Sequence, residues 1–399
     1  FRARRFDDPA DSAWGALGID DIASDYHKEI RLDAALQGLV LLKNENNALP
    51  LDPIKSRVAV LGPLAHTRSG LMSDYENDQS CFGGGHGCLP TIFESIQAVA
   101  GTATNATGVD VDSNRTDGIL EALLLAEEAD IIVLCLGITK GQEHEGIDRV
   151  ETGLPGLQES FATRVMEVGK PVVLVLVNGG QLTIDNLIDG ASAIVEAFNP
   201  NGIGETALAM SLFGLANRWG KLPYTMYPAS AQFDMEDHSM STLPGRTYRY
   251  FTGRAVFPFG YGLSYTKFKI SSTIKSTTNH RGGSRQTGLV VFEISVTNVG
   301  SCSGDEVIQI YHVAGDEIRS QAQHPVPLQS LVDFVRVSVE PGATVTTVIN
   351  IDKNKAFRLV NEVGDRVLYK GKHQLVIKNG VDNEKSFTFL DDGLQKEEE

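Results

Sequence analysis

The chain has 399 residues, 42% of them hydrophobic and 22% charged, with a formal net charge of −16. That length suggests two or three domains with sizeable cores. The acidic balance repels phosphate backbones and argues against a nucleic-acid partner, and the longest apolar run, 171–177, is too short to span a bilayer and argues against a membrane role.

The chain opens on Phe1 ahead of a basic stretch, Arg2, Arg4 and Arg5, which reads as a fragment or a processed product, so a missing leader carries no information. Residues 1–30 are polar and irregular and read as a linker or as the tail of a domain upstream. From Ile30 to Leu42 apolar residues recur at helical spacing, and Asn44-Glu45-Asn46-Asn47 is expected to stop that helix. Four nearly all-apolar runs follow, at 57–62, 131–137, 172–177 and 193–198, as strands buried on both faces require. Helical patterns lie between them at 90–100, 117–129, 156–168 and 203–213. This alternation predicts an α/β domain over 31–228 with a mostly parallel sheet covered on both faces. Ligands of such sheets bind where strands end, so function is expected in the loops 62–90, 137–155 and 178–182.

After a connecting stretch, 229–268, the pattern changes to period two. Short strands are expected at 287–296, 306–312, 334–339, 344–351 and 374–377, separated by turn signals such as Pro341-Gly342. They predict an all-β sandwich over 269–392, with 393–399 as a frayed tail.

Four cysteines make no disulfide framework. Cys135 sits in an apolar strand and reads as a buried thiol. Cys81 and Cys88 flank a Gly-rich loop, and their pairing is left open. With His86 they hint at a metal, but no second ligand pair has zinc spacing. Gly83-Gly84-Gly85 lacks the Gly-Lys-Ser/Thr of a phosphate loop, and no cofactor motif is present. Asn105-Ala106-Thr107 and Asn114-Arg115-Thr116 are glycosylation sequons, which permit secretion without showing it.

Several stretches together resemble glycoside hydrolase family 3, of the β-xylosidase/β-glucosidase type. Leu41-Leu42-Lys43-Asn44-Glu45 with Leu49-Pro50-Leu51 resembles the opening of that family's α/β sandwich domain, and 220–228 its close. Pro244-Gly245-Arg246-Thr247-Tyr248 and the stretch 257–266 are the most specific signals, the first most similar to the β-xylosidase branch. Residues 304–311 and 327–342 resemble the family's fibronectin III-like domain. Read without the resemblance, Phe259, Tyr261 and Tyr265 are expected to pack a seam between domains, and Asn178-Gly179-Gly180 to form a turn.

The resemblance implies an exo-acting glycosidase, β-xylosidase/α-arabinofuranosidase-like or a β-glucosidase, with xylose, arabinose and glucose all open as the sugar released. Glu145, four residues before Arg149 in the run 139–156, matches the family's acid/base glutamate, and Glu143 is the alternative. Cleaving a glycosidic bond needs a proton on the leaving oxygen, which a carboxyl supplies. Arg149 is expected to pair with Asp148 and hold the loop. Asp74 is placed to reach the site; for His144 a hydrogen bond to substrate and a stacking place in the loop both stay open, and it is assigned no single role. Asp148, Arg149, His144 and Asp74 together are expected as substrate-binding or loop-supporting residues. From spacing alone, a solvated charged loop is the favoured reading of these residues, and it is the resemblance that reverses it.

A retaining glycosidase needs a second carboxylate about 5 Å from the first. In this family it belongs to an N-terminal barrel of about 250 residues, which the 30 irregular residues cannot form. Ser24-Asp25-Tyr26 and Ser73-Asp74-Tyr75 imitate its motif without following a barrel-type strand. The expected partners are therefore a glycoside or oligosaccharide and a barrel outside these residues. The competing reading is a non-catalytic carbohydrate-binding module on the same scaffold.

Overall fold

The computed structural model describes residues 8, 11–12, 14–15, 17–22, 24–54, 56–74, 81, 84–231, 233–234, 237–279 and 288–391. Tyr75, Gly83, Thr287 and the expected tail 393–399 lie outside the described residues, as do most of residues 1–10.

The first domain begins with helices α1 (Ile19–Ile22) and α2 (Asp25–Gly38) and strand β1 (Val40–Asn44). The expected helix across Ile30–Leu42 thus stops at Gly38. Leu39 to Leu42 are all buried, and an unbroken run of buried residues suits a strand with both faces covered better than a helix with one. Then follow β2 (Val58–Leu61), α3 (Ile92–Ala100), β3 (Thr104–Ala106), α4 (Ile119–Glu128), β4 (Ile131–Gly137), α5 (Gln158–Glu167), β5 (Val172–Val177), β6 (Ala193–Glu196) and α6 (Gly204–Leu212).

The six strands form one sheet in the order β1-β6-β5-β4-β2-β3. All pairs are parallel except β1 with β6. Side chains alternate between two cores, as strand geometry demands. Val58, Val60, Val133, Cys135, Val173 and Val175 join α2, α3 and α6 on one face. Ala59, Leu61, Ile132, Leu134, Leu174 and Leu176 join α4 and α5 on the other. Thr91 and Glu94 form a reciprocal capping box at the start of α3.

The second domain contains β7 (Phe268–Asn279), β8 (Gly288–Asn298), β9 (Gly304–Ala314), β10 (Ser330–Val339), β11 (Thr344–Asp352), β12 (Leu359–Val360), β13 (Arg366–Val367), β14 (Gly371–Lys378) and β15 (Glu384–Asp391). A four-stranded sheet, β10-β9-β14-β15, packs on a three-stranded one, β11-β8-β7. Their shared core holds Phe292, Ile294, Ile308, Ile310, Ile349 and Leu375.

A polar and aromatic seam joins the domains. Asp305 accepts from Arg218 (2.9 Å) and Arg336 (3.0 Å), and Glu306 pairs with Lys221 at 2.8 Å. Phe259 stacks on Tyr248, with ring centroids 4.2 Å apart, and meets Tyr311 of β9 edge-on. Tyr265 packs against Trp219 and donates to the Ser211 carbonyl. The run 304–311 therefore carries its polar residues because one face of β9 is the seam itself.

Candidate active site

The chain leaves β2 to build β3 on one side, then returns to build β4 on the other. The helices that follow, α3 and α5, cover opposite faces. Such a reversal of strand order opens a crevice at the carboxyl ends of the two strands. The loop after β2 carries Asp74, and the loop after β4 carries Glu143, His144, Glu145, Asp148 and Arg149. They meet at this crevice: the Glu145 backbone N–H donates to Asp74 Oδ2 at 2.9 Å.

The third loop, after β5, joins through Arg149. Its Nε donates to Glu143 Oε2 at 2.8 Å, and its Nη2 donates to the Gln181 carbonyl at 2.7 Å. This corrects the expected pairing with Asp148, which is exposed. Arg149 is half-buried while Asp148 faces solvent, so the arginine pairs with the carboxylate that the loop brings round to it and not with its sequence neighbour. Glu143 is brought round to Arg149 by a turn in which Gln142 Oε1 accepts from the Thr139 N–H (3.1 Å) and hydroxyl (2.9 Å).

The two glutamates thus differ in kind. Glu143 is an ion-pair partner on a half-buried arginine, whose side chain is 12% exposed. The exposed Glu145 carboxylate makes no hydrogen bond or ion pair among the described residues, while its backbone is pinned to Asp74. His144 closes a short bridge with Ile147, and its Nδ1 is buried without a partner. Ser24 caps α2 and Asp25 pairs with Lys28, so both have local structural work at the start of that helix.

Gly180 lies beneath the ion pair. A Cβ there would stand 2.5 Å and 2.6 Å from the Glu143 carboxylate oxygens and 2.9 Å from Arg149 Nη2. The Asn178-Gly179-Gly180 turn is therefore also the floor of the site. Two supports escaped the sequence reading. Gln158 is fully buried and clips the end of β4, accepting from the Gly137 N–H and donating to the Gly137 carbonyl, both at 2.8 Å. Glu196 ends β6, fully buried, accepting from the Tyr224 hydroxyl (2.8 Å) and the Phe198 N–H (3.1 Å). Burial pushes its carboxyl up to about 7, against the Tyr224, Phe198 and Asn178 hydrogen bonds that pull it down. Asn178 Nδ2 in turn holds the Gly180 carbonyl at 3.0 Å. A lone glutamate inside an apolar strand was the signal for it.

Cys81 and Cys88, in the loop after β2, are joined as a disulfide, so neither offers a thiolate to a metal. Among the described residues, no group of three or more His, Cys, Asp or Glu is arranged to hold a metal ion.

The family model for the glycosyl hydrolase family 3 C-terminal domain matches residues 39–265. The chain belongs to glycosyl hydrolase family 3. The model of the fibronectin type III-like domain matches residues 306–380, completing the two-domain pattern of these family 3 sequences. An exo-1,4-beta-xylosidase of Emericella nidulans is 33% identical over 377 residues, 91% of this chain and 48% of that protein. Beta-D-xylosidase 1 of Arabidopsis thaliana is 34% identical over 397 residues, 90% of this chain and 50% of that protein. The chain thus spans about half the length of these curated relatives. Among solved structures, a family 3 exo-β-xylosidase in complex with a xylobiose aziridine activity-based probe superposes with a TM-score of 0.82 at 29% identity, over 95% of this chain and 50% of that one. A Listeria innocua β-glucosidase, at 23% identity and a TM-score of 0.78 over 96% of this chain and 52% of that one, shares the fold.

Proposed function

We propose that this family 3 chain supplies the acid/base half of a retaining exo-β-xylosidase site, the nucleophile coming from a (β/α)8 barrel outside these residues. One observation carries the reading. At the crevice where the strand order reverses, one carboxylate is tied to a half-buried arginine, and its neighbour, Glu145, is held at the backbone while its carboxyl has no partner among the described residues. A proton donor needs that combination of fixed position and unencumbered oxygen. The barrel carboxylate attacks the anomeric carbon while Glu145 protonates the departing oxygen; Glu145 then takes a proton from the water that releases the sugar. Arg149, Glu143 and Asp74 hold the loop. The xylosidase names of the relatives support xylose as the sugar released.

The test is hydrolysis of alkyl and nitrophenyl xylosides by the enzyme with its barrel. Glu145→Gln lowers turnover of alkyl xylosides on the order of 10²–10⁴-fold and that of nitrophenyl xyloside, whose leaving group needs little protonation, much less. If Glu143→Gln gives that split and Glu145→Gln does not, the two roles are reversed. No turnover by the folded parent enzyme on any glycoside would favour the non-catalytic module.

A further inference from the structure

We infer that Asn114 is an acceptor for N-linked glycosylation and that Asn105, the asparagine of the other sequon, is not. Asn114, Arg115 and Thr116 lie in the irregular loop between β3 and α4, and all three are exposed. Neighbouring groups fasten the loop and leave the acceptor free. Ser113 donates to Asp110 at 2.7 Å, and Arg115 turns onto Asp117 through Nε (3.1 Å) and Nη2 (2.7 Å). The Asn114 amide and the Thr116 hydroxyl make no hydrogen bond among the described residues. Asn105 is placed differently. It is half-buried at the centre of β3, in register with Val60 of β2, and its amide lies 3.4 Å from His66 Nδ1. A sequon is used where the folded chain leaves room for the sugar, which means a surface loop and not a paired strand.

The Cys81–Cys88 disulfide is an independent observation pointing the same way. Disulfides persist in oxidising, secretory compartments, where the modifying transferase works. The donor is an oligosaccharide linked through a diphosphate to a lipid. The Asn114 amide nitrogen forms a bond to the sugar's C1, the bond from C1 to the phosphate oxygen breaks, the lipid diphosphate leaves, and the amide gives up one proton. No oxidant or reductant is involved. The loop is fastened to the segment leading into α5, because Gln158 Nε2 donates to the Val111 carbonyl at 2.8 Å. The glycan therefore stands on the same carboxyl edge of the sheet as the candidate active site. The inference does not depend on the glycosidase reading.

The experiment places this chain behind a secretion leader in a yeast host. Intact mass is measured before and after peptide N-glycosidase F, on both secreted and cell-retained protein. One glycan is expected on the parent. Asn114→Gln and Thr116→Ala each abolish it, Thr116→Ser keeps it, and Asn105→Gln changes nothing. Because retained protein is read too, a variant that folds poorly still reports its occupancy. An unmodified parent, or a glycan that survives Asn114→Gln, overturns the inference.

Discussion

Replacing Glu196 by Gln isolates the energetics of one buried carboxyl. Its pKa rises from an ordinary 4.5 to about 7, with burial as the main cause. In the unfolded chain this group loses its proton near 4.5; in the folded chain it keeps it to about 7. Between those values the folded state binds more protons, so stability falls as pH rises through that window. The difference, at 1.36 kcal/mol per pH unit, amounts to about 3 kcal/mol. It is absent below 4.5 and fully expressed above 7. Gln reproduces the protonated carboxyl: its oxygen accepts from the Phe198 N–H, and its amide donates to the Tyr224 hydroxyl. The variant should therefore match the parent at pH 4.5 and exceed it by about 3 kcal/mol at pH 8. Urea titrations at several pH values, followed through the fluorescence of Trp219, which is 2% exposed, read both states. Other titrating groups move both proteins alike, so the difference belongs to position 196. Parallel pH curves for parent and variant would refute the reasoning, because the carboxyl would then ionise alike in both states.

Gly180→Ala drives a methyl into the Glu143 carboxylate, at 2.5 Å and 2.6 Å from its oxygens. These atoms are the tips of flexible side chains, so the Glu143–Arg149 pair should be displaced at a cost of about 1 kcal/mol or less in chemical unfolding, and turnover of the enzyme with its barrel should fall without being abolished. Arg149→Lys keeps the charge but replaces a planar fork that reaches Glu143 and the Gln181 carbonyl together. About 2 kcal/mol should be lost, and hydrogen exchange of residues 143–149 should accelerate. Asp305→Asn leaves Arg336 facing an uncharged amide at the seam, while the partly exposed Arg218 keeps Asp33, a loss of about 1–3 kcal/mol measured by calorimetry. Burial raises the Asp305 pKa, but the Ser338 hydroxyl and the two arginines outweigh it and hold the carboxyl below its ordinary 3.8. Its contribution is therefore present above that value and lost as pH falls below it, so the parent should converge on the variant in acid.

The four buried strands 58–61, 131–137, 172–177 and 193–196 were legible because each is a compact apolar run ending in a turn residue or, for the last, at a single glutamate. Strand β3 was not, since Thr104, Asn105 and Ala106 offer three residues at the sheet's edge with little to bury. Strands β7 and β15 escaped for a related reason: Lys, Ser and Thr fill their outward positions, and few apolar residues mark the inward ones. At the site, the loops could be named from strand ends alone, because the position of a crevice follows from sheet topology. The pairing inside it could not. Sequence proximity favoured Asp148 for Arg149, but a side chain pairs across space. The carboxylate that reaches Arg149 is set by the Thr139–Gln142 turn, by a glycine at 180 that leaves room, and by a carbonyl 32 residues away in another loop. The same geometry distinguishes the two glutamates. The arginine occupies Glu143 and leaves the Glu145 carboxylate without a hydrogen bond or ion pair among the described residues, and the proposed assignment of Glu145 as proton donor rests on that difference.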